Sequence, residues 1–195
     1  MNNSILWYAT RGAGAVSLVL LSGVVVLGIL GATRFEAPGW PRFLTTHLHR
    51  NLSLVAVLFL LLHIVTAVVD PFTNLGWGAA VVPFSSYYRT FWLGLGAVAA
   101  ELMAAIVVTS LLRGWLGHRT WRLVHWLAYA SWPIAVAHGW GTGTDSGAGW
   151  MLALDVVCIG SVGIVLAARL LGPAGDPLAG ERVRFRSGVQ RGPRQ

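Results

Sequence analysis

Residues 47–69 read HLHRNLSLVAVLFLLLHIVTAVV, a stretch with one arginine and no acid, proline or glycine. As a helix it rises ~34 Å at about 1.5 Å per residue, enough to cross the ~30 Å hydrocarbon core of a bilayer. Two histidines, His49 and His63, lie 14 residues apart within it. Fourteen residues fall only about 40° short of four full turns and rise ~21 Å, so both rings share one face at two depths. An ionisable ring inside a membrane segment is a functional candidate, because an unpaired polar group is costly there.

The rest of the chain has the same character. Of 195 residues, 55% are hydrophobic and 11% charged, with a mean hydropathy of +0.66. Soluble domains carry roughly 25% charged side chains, which excludes a cytosolic enzyme and a disordered chain alike. Four further apolar stretches run over 14–32, 88–112, 120–141 and 149–171. None alternates as barrel strands do, so helices must satisfy the backbone in lipid. The first stretch exceeds the ~7–15 residues of a signal-peptide core and is expected to remain as a span. The fold expected over residues 1–171 is therefore all-α, an integral membrane bundle of about five transmembrane helices. Residues 172–195 form a basic, Gly- and Pro-rich tail, expected to be disordered and close to lipid headgroups. With about 25 residues after the fifth stretch, no appended soluble domain is expected.

All 14 basic residues are arginines, and the net charge is +7. Arg34, Arg42, Arg50, Arg113, Arg119, Arg122, Arg169, Arg182, Arg184, Arg186, Arg191 and Arg194 fall on one side of the spans, against Arg11 and Arg89 on the other. The positive-inside rule then puts the amino terminus outside and the carboxy terminus in the cytoplasm, across a plasma (inner) membrane. The charge reads as topology and lipid contact rather than nucleic-acid binding. Residues 70–87, with Trp77, Pro83 and Phe84, are apolar enough to lie along the membrane interface. The lone Cys158 has no disulfide partner and reads as a small apolar side chain.

The fourth stretch also carries two histidines, His125 and His138, 13 residues apart. Together the two stretches offer one histidine pair at one depth and a second pair roughly 20 Å away. That arrangement suits two stacked b-type haems, each between two imidazoles. A filled iron coordination shell points to electron transfer rather than oxygen activation. On an ideal helix, 13 residues leave His125 and His138 about 140° apart in azimuth; Pro133 between them is expected to bend the helix and change its winding. The bland reading makes each ring a core histidine bonded to a backbone carbonyl. His47 and His118 fall at the interface and in a loop. Gly12, Gly14, Gly94 and Gly96 would permit close helix packing.

His49-Arg50 with His63, and Trp121-Arg122-Leu123-Val124-His125-Trp126-Leu127-Ala128-Tyr129 with His138, resemble the ferric reductase-like transmembrane domain over about residues 10–170. That superfamily includes the membrane cores of ferric reductases and NADPH oxidases, and the haem-binding subunit of the bacterial methionine-sulfoxide reductase system. The resemblance implies that His49 and His125 ligate an inner haem b, and His63 and His138 an outer one. It implies electron flow to an external acceptor, either ferric iron or a redox partner protein. Relatives append a domain for FAD and NADPH and often show six spans. Here no GxGxxG follows a strand, so the expected donor is a separate flavoprotein reductase or membrane quinol.

Arg50, Arg119 and Arg122 lie near the expected inner haem and could pair with its propionates, or serve topology alone. Glu101 and Asp155 are acids inside apolar stretches, read as a proton path, a quinol contact or plain interface packing. They frame the alternative function, a haem-free anchor or proton-conducting subunit. Trp92, Trp121, Trp126, Trp132 and Trp140 belong to the interfacial belt or the core, with porphyrin packing the sharper alternative. Gly141-Thr142-Gly143-Thr144-Asp145 reads as the turn that ends the fourth stretch.

Overall fold

A computed structural model describes residues 3–71 and 75–171, and every regular element in them is helical. The elements are α1 (Asn3–Ala32), α2 (Arg42–Val69), α3 (Gly76–Val81), α4 (Thr90–Leu111), α5 (Arg113–Leu116), α6 (His118–His125), α7 (Ala128–Thr142) and α8 (Gly149–Leu171). The tail, with Arg182 to Arg194, lies outside the described residues.

The boundaries follow local chemistry. Pro41 stands extended before the first turn of α2. At the other end Asp70 precedes Pro71 and leaves the helical region with ψ 114°, as the clash with a following proline ring requires. Gly117, at φ +73°, makes the left-handed step between α5 and α6 that a side chain would oppose. Inside the helices, hydroxyls satisfy themselves on their own backbone: Ser22 on Leu18, Thr66 on Leu62 and Thr142 on His138, each at 2.7–2.8 Å. Such pairing makes polar residues tolerable in lipid.

α1, α2, α4 and α8 are long and apolar enough to cross a membrane, making this a multi-pass membrane bundle. α1 extends well before the expected start at residue 14 and carries Arg11 inside it. The guanidinium is tolerated there because it pairs with Asp145 and lies 4.1 Å from the Trp7 ring centre. The fourth stretch, expected as a single helix, is divided into α6 and α7. The break is at Trp126–Leu127, not at Pro133, which lies inside α7. Backbone bonds from Leu127 to Val124, Tyr129 to Trp126 and Ala130 to Leu127 span three residues instead of four. Winding at ~3.0 residues per turn advances faster around the axis than ~3.6, and so removes part of the azimuthal mismatch between His125 and His138.

The helices associate as two antiparallel pairs, α1 with α2 and α4 with α7. α8 packs on α1, and α1 also touches α7. Leu18, Val136 and Cys158 form the buried core where α1, α7 and α8 meet, flanked by Trp132, Met151 and Leu154. Trp132 ties that junction by donating to Ser22 at 2.9 Å. α2 is not extensively packed against α6 or α7. The two histidine-bearing segments thus approach across the bundle through side chains.

Candidate functional site

Each helix pair presses its histidines against its own partner. In the first pair, His63 Nδ1 donates to the Thr10 carbonyl at 2.8 Å and His49 Nδ1 to the Val24 carbonyl at 3.0 Å. Both acceptors are on α1, with Gly14 beside the His63 ring and Gly28 beside the His49 ring. The 14-residue step on α2 is matched by a 14-residue step on α1, and Ala56, midway between the histidines, is fully buried. In the second pair, His138 Nδ1 donates to the Trp92 carbonyl at 2.8 Å, its ring lying on Gly96 of α4. His125 differs. Its Nδ1 is buried without a hydrogen-bond partner among the described residues, and the ring stacks on Trp121 at 5.1 Å between centres.

A proton given from Nδ1 to a carbonyl fixes the tautomer and leaves Nε2 as a lone-pair donor. This is the arrangement metal-ligating histidines adopt. The bland expectation, a ring bonded to a carbonyl, is met at three positions, and that same bond prepares Nε2 for a metal.

Across the gap the rings meet in pairs. His49 and His125 lie 6.2 Å apart between ring centres, and His63 and His138 also 6.2 Å. Two imidazole nitrogens bonded to one metal at ~2.0–2.1 Å, each about 1.1 Å from its ring centre, give about 6.3 Å. Edge-to-face contact between bare rings spans the same range. At His63–His138, where both rings give their Nδ1 proton to a carbonyl, bare rings would meet lone pair to lone pair, a repulsion that a shared metal ion removes. Among the described residues no cluster of three or more His, Cys, Asp or Glu side chains could hold a bare ion. Two protein ligands per site suit a metal whose remaining positions come from its own macrocycle.

His63 and His138 line a half-open cleft walled by Ala67, Ala97, Ala100 and, from α3, Ala79 and Ala80. Its walls are small apolar side chains, which keep the space beside the two rings clear of bulky groups. The expected interfacial segment therefore contributes a wall: α3 covers this cleft, and Phe84 packs on Gly94 of α4. Sequence reasoning missed that role, because six residues carry too little pattern to place a helix.

A match to the family described as ferric reductase like transmembrane component runs over residues 13–136. The chain belongs to that family. Its members carry electrons through the membrane and generally bind haem, and they work with redox partners. The match contains His49, His63 and His125 and stops two residues before His138. The curated proteins and the solved structures yield no match.

The remaining residues sort as follows. Arg50, Arg119 and Arg122 are exposed at the end of the bundle that bears His49 and His125; Arg122 also approaches His118 Nδ1 at 3.4 Å. Glu101 is exposed on α4. Asp155 is buried on α8 and accepts the Trp140 indole N–H at 2.7 Å. No hydrogen bond or ion pair among the described residues joins the two acids. Of the glycines expected to permit close packing, Gly14 and Gly96 receive histidine rings and Gly94 receives Phe84, while Gly12 faces open space.

Proposed function

We propose that the chain is a di-haem b electron conduit, with His49 and His125 ligating an inner haem and His63 and His138 an outer one. The observation that carries this is the equal 6.2 Å spacing of both ring pairs, two levels apart on the same pair of segments. When bound, each haem would supply a one-electron ferric–ferrous couple, held by the two imidazoles at its level. The chain's own part is to hold and insulate it. The carbonyls of Val24, Thr10 and Trp92 fix three imidazoles as Nδ1–H tautomers. Apolar helices keep water and protons from the path. Arg50 and Arg122 offer planar guanidinium forks to the inner propionates.

With the amino terminus outside and the arginine-rich face in the cytoplasm, electrons enter at His49–His125 and leave at His63–His138. The donor is a separate flavoprotein reductase or membrane quinol; the acceptor is ferric iron or an external redox protein. Each electron lost by the donor is gained by the acceptor, one at a time. The plasma membrane is the setting. Sealed liposomes containing the purified chain, with ferricyanide trapped inside and dithionite outside, test this directly. Ferricyanide is expected to bleach only where the chain is present, and more slowly with His63→Ala. Bleaching no faster than in protein-free liposomes overturns the proposal.

A further inference from the structure

Three of the four histidines share a local pattern. The carbonyl that accepts Nδ1–H belongs to the residue four before a glycine: Thr10 and Gly14 for His63, Val24 and Gly28 for His49, Trp92 and Gly96 for His138. A helical carbonyl has two lone pairs, and the N–H four residues on takes one. The imidazole takes the second, over a position where a Cβ would crowd it.

The register of α4 against α7 locates the fourth member. Arg89 donates to the Gly141 carbonyl and His138 to the Trp92 carbonyl. Three residues forward on α4 match three back on α7. Thirteen back from His138, across the break and at the end of α6, is His125, and thirteen forward from Trp92 is Ala105; the bond from Trp121 of α6 to Ser110 of α4 keeps that register to within one residue. Four residues beyond Ala105 stands Thr109 where the pattern has glycine. The Thr109 hydroxyl donates to the Ala105 carbonyl at 2.7 Å and lies 3.2 Å from the Ile106 carbonyl. The next residue, Ser110, accepts from Trp121, the indole on which His125 stacks. The buried His125 Nδ1 meanwhile has no acceptor among the described residues.

We propose that Thr109 makes the two sites inequivalent: its hydroxyl occupies the acceptor that His125 would use, leaving His125 the least basic of the four ligands. The inference rests on the haem reading above. A hydrogen bond from Nδ1–H raises imidazole basicity, and a more basic ligand favours ferric iron. Withholding that bond raises the midpoint potential of the site held by His49 and His125. Thr109 acts through His125 and is a positioning residue.

The test is a redox titration, followed in the Soret band, of full-length wild type, Thr109→Ala, Thr109→Gly and Thr109→Ser. Each is also made with His138→Ala, which leaves the His49–His125 site alone. Thr109→Ala and Thr109→Gly are expected to lower that site's midpoint by about tenfold in the ferric–ferrous equilibrium, ~59 mV for a one-electron couple. Thr109→Ser keeps the hydroxyl and is expected at the wild-type value, and the other midpoint stays fixed throughout. Unmoved midpoints in the alanine and glycine variants overturn the proposal. So does a serine variant that shifts as far as alanine, or a parallel shift of both sites. Protein that contains no haem overturns the reading beneath it, an outcome distinct from haem-replete protein indifferent to Thr109.

Discussion

A methyl group at Gly96 would strike the ring on which the His63–His138 site depends. Built on the backbone, its carbon falls 2.5 Å from His138 Cε1 and Nδ1, whereas the same methyl at Gly28 falls 3.4 Å from His49 Cε1. Ordinary heavy-atom contacts lie at ~3.5–4.0 Å, so Gly96→Ala drives the His138 ring about 1 Å away. The 2.8 Å bond to the Trp92 carbonyl then stretches toward ~3.8 Å, beyond hydrogen bonding. A buried donor left unpaired costs ~1–3 kcal/mol, and loss of such a supporting bond weakens metal sites by roughly 10–100-fold. Gly96→Ala is therefore expected to weaken the outer haem by about that factor. Gly14→Ala, at 3.0 Å from His63, falls between, and Gly28→Ala stays within about twofold of wild type. Alanine is itself the better helix former by about 1 kcal/mol, so general helix weakening does not account for a loss. Haem titration of the apo-protein, followed in the Soret band, measures the series. Unchanged outer-site affinity in Gly96→Ala, or an equal loss in Gly28→Ala, refutes the reasoning.

Asp155→Leu leaves the Trp140 N–H without its acceptor and is expected to destabilise the chain by ~1–3 kcal/mol in detergent melts; Asp155→Asn keeps an acceptor and is expected to melt near wild type. A double-mutant cycle over Arg11→Leu and Asp145→Asn is expected to give a coupling of about 0.5–1 kcal/mol, and zero coupling would make the ion pair incidental. Trp132→Phe removes the bond to Ser22 and is expected to cost about 1 kcal/mol without changing haem content.

The long elements were legible because lipid imposes a single rule, that every backbone group be paired within its own helix. The 149–171 stretch coincides with α8 for this reason. The histidines were legible because polar rings are rare in such segments, and 14 residues preserve helix face. Two features were not. No glycine or proline at Trp126–Leu127 announces the break there, and Pro133, expected to bend the stretch, sits inside α7. The pairing of Gly14, Gly28 and Gly96 with particular rings was equally hidden, since it needs the antiparallel register between helices distant in sequence. Glycine content alone suggested close packing between helices, and at these three positions the neighbour is an imidazole.

The haem-to-chain ratio of full-length protein purified from haem-replete cells, determined as the pyridine haemochrome, bears most directly on the paired histidines. Two b-type haems are expected per chain in wild type, and one in either His63→Ala or His138→Ala. Protein devoid of haem, or both substitutions leaving the ratio untouched, would contradict the account.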